Sequence, residues 1–144
     1  MRSFEETRKI ACSAATMFDI VMDIEAYPAF LPWVSDARIL TRQPGELSAE
    51  LVADLAGSRH RFQTVDRFVE HKLVEVRLLE GPFRFLESVW TFDPLGDDRC
   101  SVHFSIEFEF RSMMLDIIAS PVFSTACKSM VQSFEKRAME LKCM

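Results

Sequence analysis

The side chains whose types could do chemistry are three histidines, four cysteines and a short charged series in the middle of the chain. His60, His71 and His103 could ligate a metal or act as a general base, because a neutral imidazole keeps one lone pair near physiological pH. Each stands alone in a strand-like or turn-like segment, with no second ligand at helical or hairpin spacing. Solvated or singly hydrogen-bonded histidines are therefore the better reading, and no metal site is expected. Cys12, Cys100, Cys127 and Cys143 lie far apart with no C-x-x-C pair. With no N-terminal apolar stretch resembling a signal peptide, they point to a reduced, cytoplasmic compartment. Cys127 falls on an apolar stripe with no basic neighbour to lower its pKa, so an inert buried thiol is expected rather than a nucleophile. Glu75, Arg77 and Glu87 sit among strand residues. Pointing inward, one of them could anchor a ligand head group, but an outward cross-strand charge pair is the commoner arrangement. These groups form no convergent acid/base set, so catalysis is not expected.

The elements that must position these residues follow from periodicity. Residues 3–12 read as an edge strand with Phe4, Ile10 and Cys12 on one side. Ser13 is placed to cap a short helix that turns Met17, Ile20, Val21 and Ile24 inward. Two prolines between Tyr27 and Trp33 predict a compact turn or broken second helix. From Val34 to Phe110 the period is two, interrupted near Pro44-Gly45, Ala56-Gly57-Ser58, Glu70-His71, Gly81-Pro82 and Pro94 to Asp98. Six hairpin-linked strands result. The clearest is Cys100, Val102, Phe104, Ile106, Phe108 and Phe110 alternating with polar residues. Leu47, Ala49, Leu51, Ala53 and Leu55 make a weaker alternation whose small members let a sheet bend. Beyond Arg111 the pattern is helical: Phe123, Ala126, Cys127, Met130, Val131, Phe134, Ala138 and Leu141 form one apolar stripe. Ser120-Pro121 reads as the N-cap and first residue of that helix, with Ser112 to Ala119 a separate turn or the near side of a kink.

The predicted fold is a single α+β domain over residues 1–144: a curved seven-stranded antiparallel sheet around a long C-terminal helix, with two short helical pieces after strand 1. Seven strands cannot bury their inner face alone, and the last helix is the only element large enough to cover it. Composition bounds the partners. A formal net charge of -5 argues against DNA held by overall electrostatics. The aromatic residues are 13 Phe against 2 Trp and 1 Tyr, so the interior is apolar with few polar handles. No run approaches the roughly 18 to 20 apolar residues that span a bilayer. Met113, Met114, Leu115, Ile117 and Ile118 nevertheless leave only Asp116 polar in their stretch, which suits a lid, a membrane-touching surface or core.

The turn Tyr27-Pro28-Ala29-Phe30-Leu31-Pro32-Trp33 resembles the Y-P-x-F-L-P-W motif of the coenzyme Q-binding branch of the START-like, polyketide cyclase/dehydrase superfamily. The resemblance continues through Glu80 to Leu86, Trp90-Thr91-Phe92, Phe108 to Ser112 and Phe134 to Ala138, covering nearly the whole chain. Where that family often has Cys after the motif Trp, this chain has Val34, so no thiol role is expected there. The resemblance implies a helix-grip fold and non-catalytic binding of an isoprenoid quinone, ubiquinone, in support of respiratory electron transfer. The quinone would be a bound ligand, with no cofactor required. The expected ligand-binding residues are Tyr27, Pro28, Phe30, Leu31 and Trp33 from the turn, Leu51, Phe62, Leu86, Trp90 and Phe104 from the strands, and Phe123, Cys127 and Met130 from the helix. Trp33 and Trp90 have the strongest claim, against a competing role as simple packing. Met113, Met114, Ile117 and Ile118 would give peripheral contact at the inner face of the plasma membrane.

Two further classes stay open. One is a ribosome-associated regulator, as a toxin relative in the family suggests, with Arg59, Arg61 and Arg67 clustered on one strand as its basic face. The other is an enzyme of the polyketide cyclase/dehydratase type, in which an inward acid or base acts on a ligand in the same cavity.

Overall fold

Alternating side chains build the sheet in the computed structural model, which describes residues 1–143. The strands are β1 (Arg2–Ile10), β2 (Val34–Gln43), β3 (Glu46–Leu55), β4 (Ser58–Val69), β5 (Leu73–Glu80), β6 (Phe83–Gly96) and β7 (Arg99–Phe110). They pair antiparallel in the order β1-β7-β6-β5-β4-β3-β2. Successive hairpins make every contact except that of β1, which crosses over to lie beside β7. In β7 the six alternate residues from Cys100 to Phe110 are all buried, as the period of two requires. Leu47, Ala49, Ala53 and Leu55 of β3 are buried on the same inner face. Gly81, between β5 and β6, sits at φ +152°, and a Cβ there would lie 2.5 Å from the Cβ of Phe62. Only glycine lets that turn close against Phe62.

Between β1 and β2 lie α1 (Ala14–Met22) and a 3₁₀ helix (Ile24–Ala29). Ser13 caps α1, its Oγ accepting from the Thr16 N–H at 3.1 Å. Met17, Ile20, Val21 and Ile24 are buried, as expected.

The C-terminal helix departs from the predicted boundaries. It begins at Met113, where Ser112 Oγ accepts from the Leu115 N–H at 3.1 Å, so Ser112 is the cap and Ser120-Pro121 is not. Ser120 instead donates to Asp116 Oδ1 at 2.8 Å, and Pro121 lies inside α2 (Met113–Lys128). The single long helix is in fact two, because α3 (Met130–Leu141) follows a break at Ser129 with a 45° bend. Ser129 Oγ donates to the Ala126 carbonyl at 3.1 Å, a local bond that competes with the helical ladder at the bend. Among the described residues no single helix is long and apolar enough to cross a membrane.

The cysteines are not all free thiols. Cys12, just past β1, forms a disulfide with Cys143, just past α3, with Cα atoms 5.8 Å apart and a sequence separation of 131. Sequence spacing is silent on a pair that only the fold brings together. Cys100 and Cys127 are free and buried, and burial pushes their thiols up to about 11 and about 12 respectively. This fits the inert role expected of Cys127.

Candidate functional site

The concave face of the sheet and the inner faces of the 3₁₀ helix, α2 and α3 do not meet everywhere, and a cavity of about 90 Å³ remains between them. Ten of the thirteen residues singled out from the sequence line it: Tyr27, Leu31, Trp33, Leu51, Phe62, Leu86, Trp90, Phe104, Phe123 and Met130. Three do not. Cys127 is buried elsewhere in the core. Pro28 and Phe30 face a separate surface groove with Lys136 and Arg137, where the Arg137 guanidinium lies 5.2 Å from the Phe30 ring centroid. The two prolines of the motif turn the chain so that Tyr27, Leu31 and Trp33 face the cavity while Pro28 and Phe30 face out.

The two tryptophans differ in their settings. Trp90 is 4% exposed and held among rings, with Phe104 at 4.5 Å and Phe134 at 5.0 Å between centroids. Trp33 is half-buried and meets Phe123 edge-on at 5.7 Å, so it reaches both cavity and solvent. Phe134 packs against Tyr27 at 5.3 Å and Phe30 at 5.1 Å as well, which ties α3 to the motif turn.

Sequence reasoning missed the polar part of the cavity. The alternation in β4 that turns Phe62 inward also turns Thr64 and Asp66 inward. Asp66 is only 5% exposed. Thr64 Oγ1 donates to Asp66 Oδ1 at 2.9 Å, and no other donor among the described residues bonds the carboxylate. Burial pushes the Asp66 carboxyl up to about 6, against a smaller downward pull from the Thr64 hydrogen bond. Across the sheet, cross-strand pairing sets Leu47, Asp66, Val76, Ser88 and Ile106 in one row on the inner face. Asp66 and Ser88 thus stand two strands apart, or roughly 10 Å. The Tyr27 hydroxyl donates to the Val21 carbonyl. Burial, then the nearby charges of Asp66 and Asp23, raise that phenol well above its ordinary range. A period-two reading of residues 62–68, which holds a lone acid between phenylalanines, is the signal that could have found Asp66.

The remaining chemical candidates lie outside the cavity. His103 bonds Thr7 at 2.6 Å and sits 3.3 Å from Glu5 on the outer face. His71 lies beside Glu70 at 3.5 Å with its ring edge-on to Phe18. His60 was expected to be solvated or singly bonded, but its Nε2 is buried without a partner. The three do not converge, and no His, Cys, Asp and Glu cluster suited to a metal occurs among the described residues. Arg77 and Glu87 form the outward cross-strand pair expected, at 3.6 Å. The Arg59, Arg61 and Arg67 stripe is paired with acids of β3: Arg59 meets Asp54 at 3.5 Å, Arg61 meets Glu50 at 3.7 Å and Arg67 meets Glu46 at 3.0 Å. Glu50, also held by Gln63 and Arg38, is itself only 6% exposed. Met113, Met114, Ile117 and Ile118 are 52–83% exposed, so these four are surface and not core, whereas Leu115 between them is half-buried against the core.

Comparison with known proteins places these features in context. Residues 10–135 match the family described as polyketide cyclase / dehydrase and lipid transport. The ribosome association toxin RatA of Escherichia coli K12 is 32% identical over 98% of this chain and 89% of its own length. The mitochondrial coenzyme Q-binding protein COQ10 homolog B of Xenopus laevis is 31% identical over 94% of this chain, which spans 57% of that protein. Among solved structures, the 18 kDa protein CC1736 from Caulobacter crescentus aligns with a TM-score of 0.76 at 32% identity, covering 98% of both chains. The Zhui aromatase/cyclase from Streptomyces aligns with a TM-score of 0.81 at 17% identity over 95% of this chain and 93% of its own, a likeness of fold alone.

Proposed function

This chain belongs to the polyketide cyclase/dehydrase and lipid transport family, and we propose that within it the protein binds and delivers an isoprenoid quinone without transforming it. The observation that carries this reading is the cavity between sheet and helices, which is lined mainly by aromatic and aliphatic side chains and reached by both tryptophans. Such a surface takes a quinone ring and the first units of its tail out of water, at about 25 cal/mol for each Å² of apolar area buried. At about 90 Å³ the cavity is smaller than the roughly 300–1,000 Å³ of ordinary small-molecule sites, so entry requires the helices to part from the sheet. The half-buried Trp33 lines the cavity and also meets solvent, so local opening beside it needs little unfolding. A binding role is supported over catalysis by the isolation of Asp66. The cavity supplies no basic partner for it, and the Tyr27 hydroxyl is committed to a backbone carbonyl.

Titration with a short-tailed ubiquinone tests the reading. A ring stacked on indole quenches its fluorescence, so emission should fall saturably, and Trp33→Leu should weaken binding more than folding. An organic extract of the purified protein should contain a quinone by mass spectrometry. Unchanged emission together with a quinone-free extract refutes the proposal.

Likeness to ribosome association toxins over nearly the full chain favours a second reading, association with the ribosome. Arg59, Arg61 and Arg67 each have a β3 carboxylate beside them, which weakens the basic stripe that would serve it on β4, although all three side chains stay exposed. Comigration of an extract-empty protein with large ribosomal subunits in a density gradient would decide for this alternative.

A further inference from the structure

We propose that Asp66 recognises the ligand as a neutral carboxylic acid, donating a hydrogen bond from its second oxygen to a carbonyl oxygen of the head group, so that binding takes up a proton from solvent. The inference rests on the quinone reading and names the chemistry by which the cavity would tell a carbonyl-bearing ring from a plain hydrocarbon.

One oxygen of Asp66 is occupied by the Thr64 hydroxyl, which donates to it and so marks it as an acceptor. The second oxygen belongs to a side chain that lines the cavity and has no protein donor among the described residues. A buried carboxylate with a single neutral partner is a costly arrangement, and a ligand that expels the remaining water makes it costlier. Protonation removes the charge and leaves an O–H that needs an acceptor. A quinone carbonyl supplies one, whereas a purely aliphatic lipid does not. No fixed cation competes for the carboxylate. The lining side chains from β3, β5, β6, β7, α2 and α3 carry no charge, the 3₁₀ helix contributes only the Tyr27 phenol with Asp23 behind it, and His60 lies roughly 20 Å along the same strand. Burial already holds the empty-site carboxyl near 6, so only a modest further rise is needed for the acid to stay protonated at neutral pH when the site is filled.

The reaction is a linkage: carboxylate, proton and quinone combine to a carboxylic acid hydrogen-bonded to the quinone carbonyl, with no electrons exchanged. Ubiquinone does not titrate in this range, so any pH dependence belongs to the protein. Affinity for a short-tailed ubiquinone, followed by indole quenching or calorimetry, should be flat below about pH 6 and weaken by up to about tenfold per pH unit above it. Asp66→Asn keeps a donor and a neutral charge, and its affinity should not vary with pH. Asp66→Leu should bind weakly throughout. Calorimetry in buffers of different ionisation enthalpy should register proton uptake in the parent and none in Asp66→Asn. Pure hydrocarbon of equal length, which offers the acid no acceptor, should bind Asp66→Leu more tightly than the parent. If the parent binds ubiquinone with no pH dependence, or Asp66→Asn retains the parent's dependence, the role of Asp66 is overturned and quinone binding stands. A preference for the reduced hydroquinone that grows with pH also overturns it, because the carboxylate is then the acceptor. If the parent binds no ubiquinone even at about pH 5, where the acid is already protonated, the quinone reading itself falls and the proposal with it.

Discussion

Replacing Asp66 with asparagine should stabilise the protein at alkaline pH and leave it nearly unchanged in acid. The side chain is 5% exposed and its carboxyl is pushed from its ordinary 3.8 to about 6, mainly by burial. At about 1.4 kcal/mol per pH unit this corresponds to about 3 kcal/mol of folding free energy. The sign follows from proton counting. Between 3.8 and about 6 the folded protein retains a proton that the unfolded chain has released, so its stability falls as pH rises through that window. Below the window the acid is neutral in both states and costs nothing. Above it the full cost is present. Asp66→Asn has nearly the same shape, still accepts from the Thr64 hydroxyl and never ionises. Its advantage over the parent should therefore grow from near zero at about pH 3 to about 3 kcal/mol at about pH 8. For a chain of this size that is a melting-temperature gain of about 6 to 12 °C. Urea unfolding of both proteins at several pH values reads the difference directly, and the pH dependence they share cancels. A constant offset across pH, or a parent that becomes the more stable partner as pH rises, would show that Asp66 is not held in a desolvated site.

Phe134 is 1% exposed and has ring centroids of Tyr27, Phe30 and Trp90 within 5.3 Å, so Phe134→Ala should cost about 3 to 5 kcal/mol and Phe134→Asp should prevent folding. Denaturant unfolding of the first and solubility of the second check this, and a wild-type melting curve for the aspartate variant would contradict the placement of α3. Ile117 is 68% exposed, so Ile117→Lys should change stability by less than about 0.5 kcal/mol. If this stretch of α2 touches membranes, the same change should reduce cosedimentation with lipid vesicles, and equal cosedimentation would remove the membrane role.

Local pattern alone determined most of the fold. Side-chain alternation specifies which face of a strand is buried wherever one side is apolar, as in Cys100 to Phe110, and this made all seven strands legible. Ser13 was legible as a cap because capping is a contact between near neighbours in sequence. The motif turn was marked by family resemblance and not by local pattern; Tyr27, Leu31 and Trp33 of it line the cavity, whereas Pro28 and Phe30 line a surface groove. The limits lie where an outcome depends on residues distant in sequence. The Cys12–Cys143 disulfide joins positions 131 apart, which neither local pattern could signal. Arg59, Arg61 and Arg67 read as a basic stripe until hairpin pairing set acids of β3 beside them. Met113, Met114, Ile117 and Ile118 are as apolar as core residues, and only the packing of α2 decided that these four face solvent while Leu115 packs against the core. For Asp66 the alternation of β4 contained the direction of the side chain, but its chemistry comes from desolvation by neighbouring strands and helices. Desolvation is a property of the space around a group, and that space exists only once the sheet has closed on its helices.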